Sequence, residues 1–126
     1  MQRVGAVYRW VSIAALVLIF IPPVRAADVD IGSIVRNPEQ FDGKNVTIQG
    51  TASVVKETVS RKGNPYTTFQ VQDETGTIKV FTPNHPGTKN SDRVEVTGVF
   101  QKVKRVGQYT FYNEIEAQSV GPTARR

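Results

Sequence analysis

Five stretches of the chain alternate apolar and polar residues with a period of two, the spacing of a half-buried β-strand. In the first, Val46, Ile48, Ala52 and Val54 share one side, with Thr47, Gln49, Thr51 and Ser53 between them. The second runs from Tyr66 to Gln72, with Phe69 and Val71 on one parity and Thr68, Gln70 and Gln72 on the other. The third is Thr77–Thr82, with Ile78 and Val80 inward. The fourth, from Arg93 to Lys102, begins with Val94 and Val96 inward and turns ambiguous past Gly98, where Phe100 keeps that parity and Val99 and Val103 take the other. The fifth, from Gln108 to Ser119, puts Tyr109, Phe111, Ile115 and Ala117 on a shared face. Val, Ile, Thr, Tyr and Phe suit a pleated surface because their stiff or flat side chains pack well on it. Five short strands spaced by turn signals point to a barrel or small sandwich.

The punctuation between these runs is equally specific. Asp73-Glu74-Thr75-Gly76 joins the second and third, with Gly76 offering a positive φ and Asp73 an Asx turn. Gly50 and Gly98 interrupt good strands, and glycine there marks a bulge or sharp bend. Ahead of the strands, Asp30 is placed to cap a short helix whose face is Ile31, Ile34 and Val35, and Pro38 forbids its continuation. Asn37-Pro38-Glu39-Gln40 reads as a cap and first-turn proline for one more helical turn. Phe41 then pins that turn to the core before Asp42-Gly43 reverses the chain. Pro83–Asp92, polar with two prolines, reads as a loop.

Composition divides the chain in two. Residues 1–26 hold 18 apolar residues, both leucines, the only Trp and the only Met; beyond them are 14 Val, 5 Ile and no Leu. Arg3 and Arg9 precede an apolar run from Trp10 to Ile21, Pro22-Pro23 end it, and Val24-Arg25-Ala26 supplies a cleavage pattern. This is the tripartite form of a signal peptide, and the run is shorter than the about 20 residues a membrane span requires. The division expected is a signal peptide at 1–26, a helical lead-in at 27–43, a barrel at 44–120 and a disordered tail at 121–126. It implies an exported, periplasmic protein that meets the membrane only in transit. Cutting after Ala26 removes three arginines and no acid, leaving 13 basic against 11 acidic residues, so the formal charge falls from +5 to +2. Net charge is then poor evidence for a nucleic-acid partner, and any electrostatic argument rests on where the charges lie. The absence of cysteine excludes disulfides, thiolate metal sites and thiol nucleophiles.

Residues 37–50, Asn-Pro-Glu-Gln-Phe-Asp-Gly-Lys-Asn-Val-Thr-Ile-Gln-Gly, resemble the opening of the tRNA-anticodon-like OB-fold family. Residues 69–81, from Phe69-Gln70-Val71-Gln72-Asp73 to Lys79-Val80-Phe81, look like its second and third strands. Ser91–Phe100 is similar to its fourth strand and Asn113–Ala117 to its fifth. The resemblance spans about residues 34–120. It implies an all-β, five-stranded OB-fold barrel with a short N-terminal helical segment, preceded here by the signal peptide. Small exported OB-fold proteins are a looser second resemblance.

Such a barrel presents its ligand with the outer face of strands two and three, flanked by the loops joining strands one to two and four to five. With Phe69, Val71, Ile78 and Val80 inward, Tyr66, Lys79 and Phe81 point outward. Arg61 and Lys62 fall in the first flanking loop, and Lys102, Lys104 and Arg105 in the second, with only Glu57 near in sequence among the acids. Aromatic rings beside cations hold single-stranded bases. The expectation is therefore a non-catalytic binding module for an anionic or extended ligand: single-stranded nucleic acid by resemblance, or a glycan or acidic partner. The alternative is a structural subunit of an envelope complex docking through a sheet edge.

Other chemistry finds little support. His85, the single histidine, has no second imidazole or thiolate for a metal. The exported OB-fold haem chaperone of cytochrome c maturation carries a His-x-x-x-Tyr motif after its barrel. Here His85 lies between strands three and four, with Lys89 at the tyrosine position. No cofactor is expected. Glu114 and Glu116 share a strand face, which surface alternation explains as well as acid–base chemistry does. No nucleophile with a positioned base and no phosphate-binding glycine loop is present.

Overall fold

The computed structural model describes residues 27–123. The segment read as a signal peptide, 1–26, lies outside the described residues, as do 124–126. In chain order the elements are β1 (Ala27–Asp28), α1 (Ile31–Arg36), α2 (Pro38–Phe41), β2 (Asn45–Val59), β3 (Pro65–Gln72), β4 (Thr77–Pro83), β5 (Arg93–Val106) and β6 (Tyr109–Pro122). The five strands read from the alternation are β2 to β6. None of the described helices is long and apolar enough to cross a membrane.

The expected closed five-stranded barrel requires correction. The strands form one six-stranded mixed sheet in the order β1-β2-β3-β4-β6-β5, parallel at β1–β2 and β4–β6 and antiparallel elsewhere. The sixth strand is β1, which pairs Ala27 with Val46 and Asp28 with Thr47. The sheet curls until the first half of β2, Asn45–Thr51, also meets β5 at Val99–Arg93. The β4–β6 seam is only three pairs long, Lys79–Glu114 to Phe81–Glu116. These partial seams make a strongly coiled sheet of OB-fold-like topology rather than a uniform closed ring. The physical reason lies in these seams, since β4 and β6 share only three pairs and β2 meets β5 along its first half alone.

The alternation in β3 and β4 holds throughout. Phe69, Val71, Ile78 and Val80 are buried with Val46, Ile48, Val96, Phe100 and Ile115, and α1 adds Ile31 and Ile34 to this core. Each such side chain contributes about 1.5–3 kcal/mol by leaving water. Phe100 is fully buried and Val103 exposed, which settles the ambiguous parity of β5. Val54, expected inward, is instead 51 % exposed. A bulge between Ser53 and Lys56 shifts the β2–β3 register, Val54 takes φ 52°, and Val55 packs against the core in its place. A β-branched residue at positive φ is strained, so the bulge is held from outside. Asn90 Oδ1 accepts from Val55 N at 3.0 Å, and the Pro83–Asp92 loop also exchanges backbone bonds with Ala52.

The lead-in is capped from a distance. Asp30 makes no side-chain bond to α1 and Val35 is exposed; Asn37 likewise leaves α2 uncapped and donates back to Ser33 O at 2.9 Å. The β3–β4 turn supplies the cap: Asp73 Oδ2 accepts from Ile31 N at 3.0 Å and Thr75 Oγ1 from Gly32 N at 2.7 Å. Asp73 Oδ1 closes its own Asx turn on the Thr75 and Gly76 amides, as the sequence predicts, but Gly76 does not adopt positive φ. Partial burial pushes the Asp73 carboxyl up. The hydrogen bonds from the Thr75 hydroxyl and from the Ile31, Thr75 and Gly76 amides outweigh it and hold Asp73 below the usual carboxylate range. Gly50 and Gly98 both meet backbone where a Cβ would sit, Gly50 against Gln72 O and Gly98 against Glu116 O. At Gly98 the β5–β6 register shifts, whereas Gly50 marks the point where β2 passes from β5 to β3. β6 runs on to Pro122, two residues into the expected tail.

Gly98→Ala therefore overpacks the β5–β6 seam and lowers stability by roughly 2–3 kcal/mol, read from the urea midpoint. Asp73→Ala removes a cap and a turn and costs about 1–2 kcal/mol at pH 7. An unfolded aspartate titrates at about 4 and the folded Asp73 carboxyl below that, so its contribution is present above the unfolded value and lost as the pH falls through the folded one. The gap between wild type and Asp73→Ala in thermal melts should narrow on acidification; a gap unchanged from pH 7 to pH 2 contradicts the assignment.

Candidate functional site

The outer face of β3 and β4 is built by the same alternation that fills the core. With Thr67, Phe69 and Val71 buried, Tyr66, Thr68 and Gln70 turn outward, and Lys79 and Phe81 do so on β4. Tyr66 pairs with Pro83 and Phe81 with Thr68, so the two rings meet diagonally across the ladder. Their centroids are 5.3 Å apart with planes inclined by 30°. Both rings are half-buried, neither swallowed by the interior nor fully open. Lys79 is exposed between Gln70 and Glu114.

The cations expected to border this face are arranged less simply. The predicted strand four–five loop does not exist as a loop: β5 and β6 form a long hairpin that closes from Val106 to Tyr109. Lys102, Lys104 and Arg105 are thus strand residues, and they go to different places. Lys102 leaves the site altogether. It bonds Glu39 at 2.9 Å, and its amide donates to Asp42 Oδ1, tying β5 to the end of α2. That lysine's hydrogen bond and charge hold the Glu39 carboxyl below its ordinary value. Arg105 is exposed. Arg61 and Lys62 sit at the exposed Ser60–Asn64 turn joining β2 to β3, and no ion pair among the described residues involves them.

Lys104 does reach the face, and it arrives accompanied. Asn113, at φ 53°, interrupts the β5–β6 ladder between Gln101–Glu114 and Val103–Tyr112. Beyond that point the hairpin brings Lys104 Nζ over the Phe81 ring at 4.1 Å and within 5.8 Å of Phe111. The same ammonium lies 3.0 Å from Glu114 Oε1 and 3.8 Å from Glu116 Oε2. Only 13 % of the Lys104 side chain and 4 % of Glu114 are exposed. Glu114 Oε1 and Gln101 Oε1, opposite each other on the ladder, are buried without a well-directed hydrogen bond.

Sequence reasoning missed both carboxylates, which it read as surface alternation, and also Phe111 as a wall of the site. The available signal was the Glu114-Ile115-Glu116 triplet on the strand facing Lys104. Sequence distance conceals it, since Glu114 and Glu116 lie on the strand after the hairpin turn and away from the basic residues. His85 is exposed, and its Nε2 lies 3.1 Å from the Thr58 carbonyl oxygen as a tie between loop and strand. Among the described residues no group of three His, Cys, Asp or Glu side chains is disposed to hold a metal. A separate groove of about 550 Å³ lies against α1, lined by Asp28, Asp30, Asp73, Phe41 and neighbours, and shares no residue with this face.

No family model matches the chain, and no curated protein matches it. Solved structures do. A small single-stranded DNA-binding protein from Streptomyces coelicolor is 16 % identical, with 65 % of this chain and 94 % of that one covered and a TM-score of 0.53. A chain of yeast Stn1 and Ten1 is 14 % identical, covering 80 % of this chain and 64 % of that one, with a TM-score of 0.61. The second OB-fold domain of replication protein A from Methanococcus maripaludis is 22 % identical over 68 % of this chain and 89 % of that one, at a TM-score of 0.47. The first two likenesses show the fold, an OB-fold-like topology.

Lys104→Met leaves the Glu114 carboxylate buried without a counter-ion and lowers stability by about 3 kcal/mol in guanidinium titration. Lys102→Ala, at an exposed pair, leaves the midpoint unchanged within error. Equal effects of the two substitutions would refute the difference in burial on which this description of the site rests.

Proposed function

We propose that the protein is a non-catalytic binding module that takes an extended anionic ligand, single-stranded oligonucleotide in particular, on the outer face of β3 and β4. The observation that carries this reading is the outward Tyr66–Phe81 pair beside Lys79, since stacked rings next to cations suit bases joined by phosphates. That one structure sharing the fold is a single-stranded DNA-binding protein supports the reading. OB folds hold unrelated ligands, so the reading stands on the face itself.

The electrostatics bound the affinity. Lys102 and Lys104 are already paired, which leaves Lys79, Arg61, Lys62 and Arg105 to meet phosphates. A stacked base contributes roughly 1–3 kcal/mol, so two rings and a few screened cations give at best micromolar-class binding. Fluorescence anisotropy with a labelled oligothymidylate should show this, with log K falling against log salt at a slope of about −2 to −3 for three or four contacts. Tyr66→Ala should weaken binding about tenfold or more. Binding that survives both Tyr66→Ala and Lys79→Gln unchanged would move the ligand off this face.

A further inference from the structure

We propose that Lys104 is an internal occupant of the Phe81 ring, held there by Glu114 and Glu116, and that a phosphate-bearing ligand has to draw it away before a base can stack on that ring. This deepens, and rests on, the reading of the β3–β4 face as a binding site. Three contacts of one ammonium carry it: 4.1 Å to the centre of Phe81, 3.0 Å to Glu114 and 3.8 Å to Glu116. The ammonium covers Phe81, while Tyr66 stacks beside that ring at 5.3 Å. A base therefore meets Tyr66 freely but finds Phe81 already engaged.

The two carboxylates are unequal. Glu114 is buried and is the anchor, while Glu116, 44 % exposed and the more distant, is the weaker hold. With Lys104 held by both acids and Lys79 exposed on the same face, an approaching phosphate gains a second cation there only when Lys104 changes partners. A lysine suits such an exchange, because a flexible stem carries a compact charge with three donors. The exchange also selects the ligand. A neutral stacking compound offers Lys104 nothing in return for its carboxylates, whereas a phosphodiester beside the base does. The face is thus tuned to bases attached to a charged backbone.

The test uses the whole protein and a single-stranded oligothymidylate at low salt. Protons on the methylene next to the Lys104 ammonium lie over an aromatic ring, so their NMR signal is shifted to high field; Lys104→Arg identifies it by its disappearance. On saturation with the oligonucleotide that signal should move to the ordinary lysine position, and an uncharged-backbone oligomer of the same sequence should leave it shielded. Glu116→Gln, a change at an exposed site, should tighten oligonucleotide binding by roughly two- to fivefold. If the oligonucleotide binds while Lys104 stays shielded at saturation, this inference falls and the binding face stands. If no oligonucleotide binding occurs at low salt in wild type or Glu116→Gln, the binding reading falls and takes this inference with it.

Discussion

The interior filled by Phe69, Val71, Ile78 and Val80 dictates the outer face of the molecule. Successive side chains on a strand point to opposite sides, so four apolar residues turned in oblige their neighbours to turn out. A slip of one residue in β3 or β4 would bury Lys79 and Gln70 and expose the core, which water does not permit. Tyr66 and Phe81 therefore meet on the surface because the core leaves them no other place. The stacked pair comes from the same physics as the fold.

This explains what could be read from the residues alone. The parity of β3 and β4, the Asx turn at Asp73 and the irregularity at Gly98 are local, written in spacing and residue type. What was not legible depends on which strands become neighbours. Asp73 capping α1 links residues over forty positions apart, and nothing around Asp30 announces that its own cap goes unused. The exposure of Val54 follows from a bulge supported by Asn90, again a distant partner. The uniform ring of five strands was a family expectation, and the short strand at Ala27–Asp28 and the three-pair β4–β6 seam depart from it.

The site shows the same division. Aromatic rings on a predicted outward parity were found because they obey alternation. The charges were misjudged because charge is a property of a neighbourhood. Of the five cations counted in the flanking segments, Arg61, Lys62 and Arg105 stay out of ion pairs among the described residues, Lys102 goes to Glu39, and Lys104 meets carboxylates on β6 that alter its role. A basic stretch in a sequence gives an upper bound on the positive surface the folded protein presents.

The loop from Pro83 to Asp92 has a protective consequence. The second half of β2 pairs with β3 on one flank only, and its other flank would offer free amides and carbonyls to any passing chain. Asn90, Ser91, Asp92 and His85 satisfy that backbone at Val55, Ala52 and Thr58. A segment without regular structure thereby acts as a selvedge, sealing the border along which β-rich proteins are most prone to polymerise into fibres.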